Sequence, residues 1–245
     1  MKDQNCNALH VELLSYTPDP ANLIGLAGRM CYSDAGIEGI KEKINREEQN
    51  GFIEKIIKLG SKSILDHINF TFAVEGISKR LSRQLATYKL TSLSQKPEKY
   101  IKADNSFKYI IPESLANKPE KLALFTELMQ DISDLFVKLV KKGVSEEDAC
   151  YILPDACETK LILTMSAGEL IPFFEVNCCN NAPWEIKSLA DLMIQECIKT
   201  TPAIFKFTGP GCLFGPCPER DETCGDEEEM RRKYHELLIT SDRLN

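Results

Sequence analysis

A basic stretch between Ser78 and Tyr100 holds the side chains of this chain that are best suited to bind an anion. The stretch reads SKRLSRQLATYKLTSLSQKPEKY, and Glu98 is its one acid. Six of its side chains are cationic: Lys79, Arg80, Arg83, Lys89, Lys96 and Lys99. Because the whole chain carries a formal net charge of −7, this local excess of positive charge indicates a surface for an anion. A solvated amphipathic helix followed by a loop is the alternative interpretation.

The same stretch resembles the signature region of the flavin-dependent thymidylate synthases, which runs S-R-x-x-x-H-Q-L-x-R-H-R-x-A-S-x-S-Q-x-S-x-R-Y. Seven residues match this pattern without a gap: Ser78, Gln84, Leu85, Ser92, Ser94, Gln95 and Tyr100. Thr87, Tyr88 and Lys89 stand where the family has Arg-His-Arg. Pro97 stands where the family has the serine beside the reacting uracil carbon. The resemblance implies the family's fold, and the altered positions predict changed chemistry.

A second segment, from Ser61 to His67, resembles the family's G-H-x-S-x-L-E-H-x-x-F-T-F. Ser61 replaces the first histidine, whereas Asp66 and His67 keep the acid–histidine pair. In the family the second histidine lies against the flavin, so the resemblance implies a cofactor role for His67. A lone histidine before a strand is otherwise a hydrogen-bonded structural residue, and this alternative stays open.

Two further family arginines are replaced in this chain. Gly168 stands at the third position of the family's N-A-R triplet, and Gln195 stands at the arginine that contacts the uracil ring. Arginine suits such positions because its planar fork holds phosphate through two hydrogen bonds. A hydrogen bond to a charged group contributes about 1.5–3 kcal/mol. Both replacements together would weaken nucleotide binding by about 3–6 kcal/mol, which is roughly two to four decades of affinity.

Arg83 offers a cation that the family pattern does not contain. We predict a helix over Leu81–Lys89, which places Arg83 one turn before Thr87 on the same helical face. Arg83 would then bind the anion that the family binds from the position of Thr87. An ordinary salt bridge, for instance to an acid of a neighbouring subunit, is the competing explanation.

The resemblance implies two groups of binding residues and one cofactor. The FAD-binding residues are His67, Arg83, Tyr88, Lys89, Ser94 and Gln95. The substrate-binding residues are Gln84, Lys99, Tyr100 and Gln195. In the family, FAD takes a hydride from NADPH and receives the one-carbon unit that methylene-tetrahydrofolate supplies to dUMP. This route needs no enzyme cysteine as the attacking group, and no residue is assigned a catalytic role.

The chain has ten cysteines, for which we expect reduced and largely buried thiols. Three of them form a C-x4-C-x6-C tail, Cys212, Cys217 and Cys224, and the neighbours Cys178 and Cys179 offer further thiols. The tail lacks the paired C-x2-C knuckles of typical zinc sites. Packing thiols or a surface loop are therefore the expectation, and no metal ligand is assigned. A metal or cluster is the alternative.

Composition and charge also bound the class of protein. No apolar run approaches the length of a membrane span, and the N-terminal MKDQNCNALHVELL is too polar for a signal peptide. The acidic balance argues against nucleic acid as a partner. We therefore expect a cytoplasmic protein that binds a small-molecule nucleotide and does not associate with membranes.

The predicted fold is α+β, with a mostly antiparallel sheet flanked by helices, as the resemblance implies. Residue patterns predict strands at His10–Ser15, Ile68–Val74, Phe107–Ile111 and Thr159–Ser166. Helical periodicity and capping residues predict helices at Ala21–Tyr32, Ile37–Leu59 and Pro119–Lys142, and from Ala182 to about Thr200. We expect one domain over residues 1–225, followed by a charged helix or tail over residues 226–245.

The leading functional hypothesis is an FAD-binding protein of this family that methylates dUMP to dTMP, with methylene-tetrahydrofolate and NADPH as co-substrates and with weakened or altered activity. The resemblance also implies a homotetramer whose FAD sites lie between subunits. Two alternatives stay open. One is a flavoprotein on the same scaffold with a different nucleotide or acceptor, and the other is a non-catalytic paralogue that acts as an assembly partner or regulator.

Overall fold

The computed structural model describes residues 8–42, 46–58, 61–97 and 107–242. Within these ranges the chain combines helices with an antiparallel sheet, which confirms the predicted α+β class. No helix in this part of the chain is long and apolar enough to cross a membrane. The predicted substrate-binding residues Lys99 and Tyr100 lie outside the described residues.

A four-stranded sheet forms in the described part of the chain. Its strands are β1 His10–Tyr16, β2 Asn69–Ser78, β3 Ser92–Gln95 and β4 Glu158–Ser166. Their order in the sheet is β1-β2-β4-β3. Strands β2 and β4 run antiparallel, since Ala167 N donates to Ile68 O (2.7 Å) at one end of the pair and Lys79 N donates to Cys157 O (2.9 Å) at the other.

Alternating burial explains why the two central strands form. Phe70 and Phe72 are buried on β2, and Leu161 and Leu163 are buried on β4, whereas Ile162 between the latter two is exposed. Successive side chains of a strand point to opposite faces, so this period of two buries one face of the sheet. The pattern predicted both strands, although β2 extends beyond its predicted end.

Twelve α-helices occur in the described residues: α1 Pro20–Tyr32, α2 Ile37–Glu42, α3 Arg46–Lys58, α4 Lys62–Leu65, α5 Lys79–Leu85, α6 Glu113–Ala116, α7 Pro119–Lys141, α8 Glu146–Ala149, α9 Ala167–Asn177, α10 Trp184–Thr200, α11 Pro202–Phe205 and α12 Glu227–Asp242. The helices predicted to end near Tyr32, Lys142 and Thr200 are confirmed as α1, α7 and α10. The segment predicted as one helix over Ile37–Leu59 contains α2 and α3, with residues 43–45 outside the described ranges.

The predicted strand Phe107–Ile111 is wrong. An isolated antiparallel bridge joins Tyr109 to Cys157, without a ladder around it. Pro112 follows directly and has no N–H to donate to a longer ladder. Phe107 and Tyr109 are buried instead in an apolar cluster with Met129 of α7.

The predicted helix Leu81–Lys89 is too long, because α5 ends at Leu85. Thr87 N donates to Gln84 O and Tyr88 N donates to Leu85 O, both at 3.1 Å, and these i to i−3 bonds tighten the chain into a turn. The Thr87 hydroxyl also donates to Gln84 O (2.7 Å) and competes with the helical bonding pattern. Arg83 and Thr87 therefore do not share the face of a continuous helix.

The chain divides into two compact units. The first comprises residues 1–10, 74–88 and 93–162, and the second comprises residues 11–73, 89–92 and 163–245. The prediction of one domain over residues 1–225 stays a prediction.

The core of the first unit lies along α7. Tyr109 and Met129 are buried there, and the ring of Phe125 meets Tyr109 edge-on at 5.8 Å. Helix α7 begins at Pro119, whose fixed φ suits a first helical turn. Gly143 follows its end at φ +91°, a conformation that glycine adopts without strain.

The core of the second unit joins β2 to α9 and α11 through aromatic rings. Phe205 meets Phe70 edge-on at 5.3 Å and Phe174 at 6.0 Å. Ile24 of α1 and Ile53 of α3 are fully buried in the same unit. These contacts pack α9 into the core of the second unit. They therefore fix the position of its first turn, which carries Glu169.

The charged segment after residue 225 contains helix α12, which packs against α10 of the same unit. Tyr234 is buried, and its hydroxyl donates to Asp191 Oδ1. The ammonium groups of Lys187 and Lys233 contact Asp191 Oδ2 at 3.3 and 2.6 Å. Burial, followed by the negative charges nearby, raises the pKa of Tyr234 far above its ordinary value, so the phenol keeps its proton.

Candidate functional site

Helix α5 is the helical part of the basic stretch, and it belongs to the first unit. Ser78 caps the helix, because its side-chain oxygen accepts a hydrogen bond from Leu81 N (3.0 Å). Lys79 is only 5% exposed, although it was counted among the cations of the predicted anion-binding surface. Burial therefore removes Lys79 from that surface.

The predicted cofactor residue Gln95 lies at the end of β3, and both polar atoms of its side-chain amide form hydrogen bonds. Its Oε1 accepts from the Ser82 hydroxyl of α5 (2.6 Å), and its Nε2 donates to Thr159 Oγ1 of β4 (3.2 Å). Ser94 precedes Gln95 on the strand, is exposed and points to the opposite face of the sheet. The two predicted cofactor residues therefore serve different faces of β3.

Arg83 forms a salt bridge within its own chain. Its Nη1 lies 2.6 Å from Asp155 Oδ1, and the two side chains are 69% and 45% exposed. A pair this exposed contributes little to stability, typically about 0.2–1 kcal/mol. The competing explanation, a salt bridge, is thus present, but with an acid of the same chain. The guanidinium remains open to solvent on its other sides and accessible to an anion.

A cluster of charges lies at the first turn of α9 in the second unit. Glu169 Oε1 accepts from two ammonium groups, Lys62 Nζ at 3.0 Å and Lys89 Nζ at 3.4 Å. Glu169 is 15% exposed, whereas Lys62 and Lys89 are 49% and 75% exposed. The carboxylate is held in the protein while both cations reach solvent. Lys89 was predicted to bind the cofactor, and the structure places it beside a second cation that was not predicted.

The acid–histidine pair, Asp66 and His67, follows Lys62 of this charge cluster closely in the sequence. The Ser166 hydroxyl donates to Asp66 Oδ1 (2.5 Å) and accepts from Glu169 N (3.2 Å), so one serine caps α9 and fixes Asp66. His67 follows Asp66 at the turn before β2 and is exposed. An exposed imidazole is accessible to a ligand.

Gly168 has a packing reason that the sequence did not reveal. A Cβ at this position would fall on Asp66 Oδ1, closer than real carbon contacts allow, and would lie 2.9 Å from Lys62 O and 3.0 Å from Lys62 Cγ. The side chain of Lys62 therefore occupies space that an arginine at position 168 would need. Because Lys62 reaches Glu169 from there, a cation is present at this turn although position 168 lacks one.

The remaining predicted residues lie on separate elements. Gln84 of α5 is half-exposed, and its carbonyl holds the turn at Thr87. Tyr88 is half-buried at the end of that turn. Gln195 is half-exposed on α10 in the second unit.

The predicted residues thus form two sets. Arg83, Gln84, Tyr88, Ser94 and Gln95 belong to the first unit, around α5 and β3. The second unit holds the other described residues: His67, Lys89 and Gln195. Lys62 and Glu169 were missed, since their contact joins segments far apart in the sequence. The one available signal was that Lys62 adds a cation next to Ser61, which replaces a family histidine.

Comparison with known proteins identifies the family of this chain. The model of the family described as Thymidylate synthase complementing protein matches residues 12–203. A flavin-dependent thymidylate synthase of Geobacter sulfurreducens is 41% identical over 232 residues, which cover 94% of this chain and 100% of the relative. Proteins of the same name from Clostridium tetani and Pyrococcus furiosus are 38% and 34% identical, covering 91% and 94% of this chain and 96% and 98% of each relative.

Proposed function

We propose that this chain, which belongs to the flavin-dependent thymidylate synthase family, binds FAD and methylates dUMP to dTMP at a strongly reduced rate. Methylene-tetrahydrofolate and NADPH would be the co-substrates, and the chain would adopt the family's fold. The observation that carries the proposal is the match along 94% of the chain to a relative whose name states a flavin-dependent thymidylate synthase. Gln84, Ser94 and Gln95 of the signature are retained.

The charged side chains fit an anionic cofactor. In the second unit, the exposed ammonium groups of Lys62 and Lys89 lie on one carboxylate oxygen and can add a phosphate oxygen as a further partner. In the first unit, Arg83 offers an exposed guanidinium, and Tyr88 offers an aromatic face. FAD, when bound, supplies the hydride and one-carbon transfer chemistry. The protein's contribution is to hold its phosphates and orient its ring.

The reduced rate follows from the positions that would hold and orient dUMP. Pro97 has no hydroxyl to place beside the uracil ring, and Gln195 is neutral where the family has a cation. Transition-state binding therefore weakens even where the cofactor stays bound.

We also propose that the chain assembles as a homotetramer and acts in the cytoplasm. Helix α7 presents three exposed leucines, Leu124, Leu128 and Leu135, which are 69%, 54% and 46% exposed. Their spacing places them within one stripe of the helix. An apolar stripe of this kind supports association with a second copy.

A flavoprotein with a different nucleotide or acceptor is the second candidate. Pro97 and Gln195 favour it, because the positions that would orient the uracil ring are changed whereas Gln84, Ser94 and Gln95 of the signature are retained. Such a protein would keep the flavin and would not release tritium from dUMP.

Two measurements on the purified protein test the proposed function. The visible absorbance spectrum and the quenching of added FAD fluorescence report flavin binding, and tritium release from dUMP labelled at C5 reports catalysis. We expect flavin bands and a release rate at least about a hundredfold below that of the Geobacter relative, from the lost charged hydrogen bonds. A colourless protein that does not quench FAD fluorescence would refute flavin binding. Release at the relative's rate would refute the reduced activity, and flavin without release would refute the methylation of dUMP and favour the second candidate.

Replacement of Arg83 by alanine is expected to weaken FAD or nucleotide binding by about tenfold or more, the loss of one charged hydrogen bond. The melting temperature of the ligand-free protein should hardly change, because the Arg83–Asp155 pair is exposed. Asp155→Asn is the matched control, since it breaks the same salt bridge and keeps the guanidinium. Its affinity for FAD should be unchanged or higher. Equal affinity in both variants and the parent protein would show that Arg83 is only a partner of Asp155.

A further inference from the structure

Four cysteines of the second unit, taken from two distant segments, lie around the C-terminal end of α9. Cys179 lies two residues after the end of the helix at Asn177, and Cys212, Cys217 and Cys224 belong to the loop between α11 and α12. All four are free thiols, with Cys212 only 4% exposed and the other three half-exposed. No binding or catalytic role considered above uses them.

The beginning of the loop is fixed against the last turns of α9. Gly211 N donates to Glu175 O (3.0 Å), which places Cys212 beside the helix. A Cβ at Gly211 would lie 2.8 Å from Pro218 Cγ and 3.3 Å from its Cδ, so the loop doubles back on itself there. Because Cys212 follows Gly211 and Cys217 precedes Pro218, the close approach of 211 to 218 brings these two thiol-bearing residues together.

The end of the loop is fixed to the chain just after α9. Asn181 Nδ2 donates to Glu222 O (2.7 Å), and Asn180 Nδ2 donates to Asp226 Oδ2 (3.0 Å). Cys179 immediately precedes these two asparagines, and Cys224 lies midway between their two acceptors. The two hydrogen bonds therefore place Cys179 and Cys224 on the same side of the helix end.

The charge interactions of Cys212 agree with this placement of the four thiols. Burial raises the pKa of Cys212, and nearby Cys217, Cys179 and Cys224 raise it further in that order. Thiolates gathered in this way repel one another, and a divalent cation among them would remove the repulsion. Arg231 adds compensating charge, because its Nε and Nη2 donate to Cys212 O (2.9 Å) and Gly215 O (2.7 Å).

We propose that Cys179, Cys212, Cys217 and Cys224 form a tetrathiolate site for Zn²⁺ that joins the loop to α9. In structural zinc sites of the four-cysteine type, four thiolate sulfurs bind the ion at about 2.3 Å in a tetrahedron. Binding converts four thiols to thiolates and releases four protons, which leaves a complex of net charge −2 beside the Arg231 guanidinium.

The metal-free thiols must move to complete the site. Across residues 8–42, 46–58, 61–97 and 107–242, no three His, Cys, Asp or Glu side chains stand ready to hold a metal ion. Cys179, Cys217 and Cys224 are half-exposed and lie outside the helices and strands, so their side chains can rotate toward a common ion. Zinc binding is therefore coupled to closure of the loop over residues 212–224, and it stabilises the folded chain.

The metal content of the full-length protein tests this site. The reduced protein is incubated with Zn²⁺, passed over a desalting column and measured for bound metal and free thiols. Cobalt replaces zinc in a parallel sample, where thiolate-to-cobalt absorption reports sulfur ligation. We expect about one ion per chain, loss of four titratable thiols and a melting temperature that chelation lowers.

Single substitutions identify the ligands. Cys217→Ser and Cys224→Ser, both at half-exposed positions, should weaken zinc binding by at least about tenfold and diminish the cobalt–thiolate absorption. Cys31→Ser, on the exposed surface of α1, is the matched control and should bind one ion as before. The proposal is overturned if the reduced parent protein retains no zinc or cobalt, if Cys31→Ser loses metal equally, or if the isolated protein shows a Cys212 disulfide or iron-sulfur absorption instead.

Discussion

Gly168→Arg is expected to destabilise the protein instead of restoring a nucleotide contact. Even Gly168→Ala places a Cβ against Asp66 Oδ1 and 2.9 Å from Lys62 O. The Lys62 carbonyl is part of α4 and cannot swing away as a side-chain end can. Overpacking of this kind costs about 1–3 kcal/mol, and the longer arginine should exceed that range. For a chain of this size, Gly168→Ala should lower the melting temperature by about 2–12 °C.

Thermal unfolding of the ligand-free variants measures this effect. Gly51→Ala is the matched control, because Gly51 also lies in a helix and a Cβ there meets no atom within 4 Å. That control should be neutral or stabilising by up to about 1 kcal/mol. An unchanged melting temperature for Gly168→Arg, together with tighter dUMP binding, would contradict this expectation. It would show that Asp66 and Lys62 can move to admit the arginine, and that an arginine at position 168 binds the nucleotide.

The close packing around Gly168 could not be predicted from the sequence. The resemblance to the family predicts a departure from arginine at this residue, and the structure adds a close contact of position 168 with Asp66 and with Lys62 of α4. Ser166 and Asp66, which join the same two segments, are 100 residues apart in the chain. A single sequence carries no signal for such a pair, and the compensating cation at Lys62 was missed for the same reason.

Local patterns, by contrast, predicted most of the regular structure. The long helix α7 was predicted from its apolar period and its flanking Pro119 and Gly143, and it ends within one residue of the prediction. The end of α5 could not be predicted in this way, because a side-chain hydrogen bond from Thr87 to Gln84 O decides it. Composition likewise counted Lys79 as a surface charge, although docking of the α5 backbone buries it.

Gln195→Arg is expected to strengthen dUMP binding by roughly 10- to 150-fold, the effect of one hydrogen bond between charged groups at about 1.5–3 kcal/mol. The expectation depends on the proposed nucleotide site. Gln195 is half-exposed on α10, a helix of 17 residues, so a long side chain can be added there without opening the core. Arginine and glutamine have similar helix propensities, and the folded protein should keep its stability.

Titration of dUMP against the variant, at low and at raised salt, measures the gain and its electrostatic origin. Ser188→Arg is the matched control, since it adds the same charge on the same face of α10, two turns or about 10.5 Å earlier. General attraction between the protein and an anion would improve both variants alike and disappear with salt. A specific contact improves Gln195→Arg alone. Equal affinities for the two variants and the parent protein would place the nucleotide away from α10 and contradict the assignment of Gln195 to the substrate site.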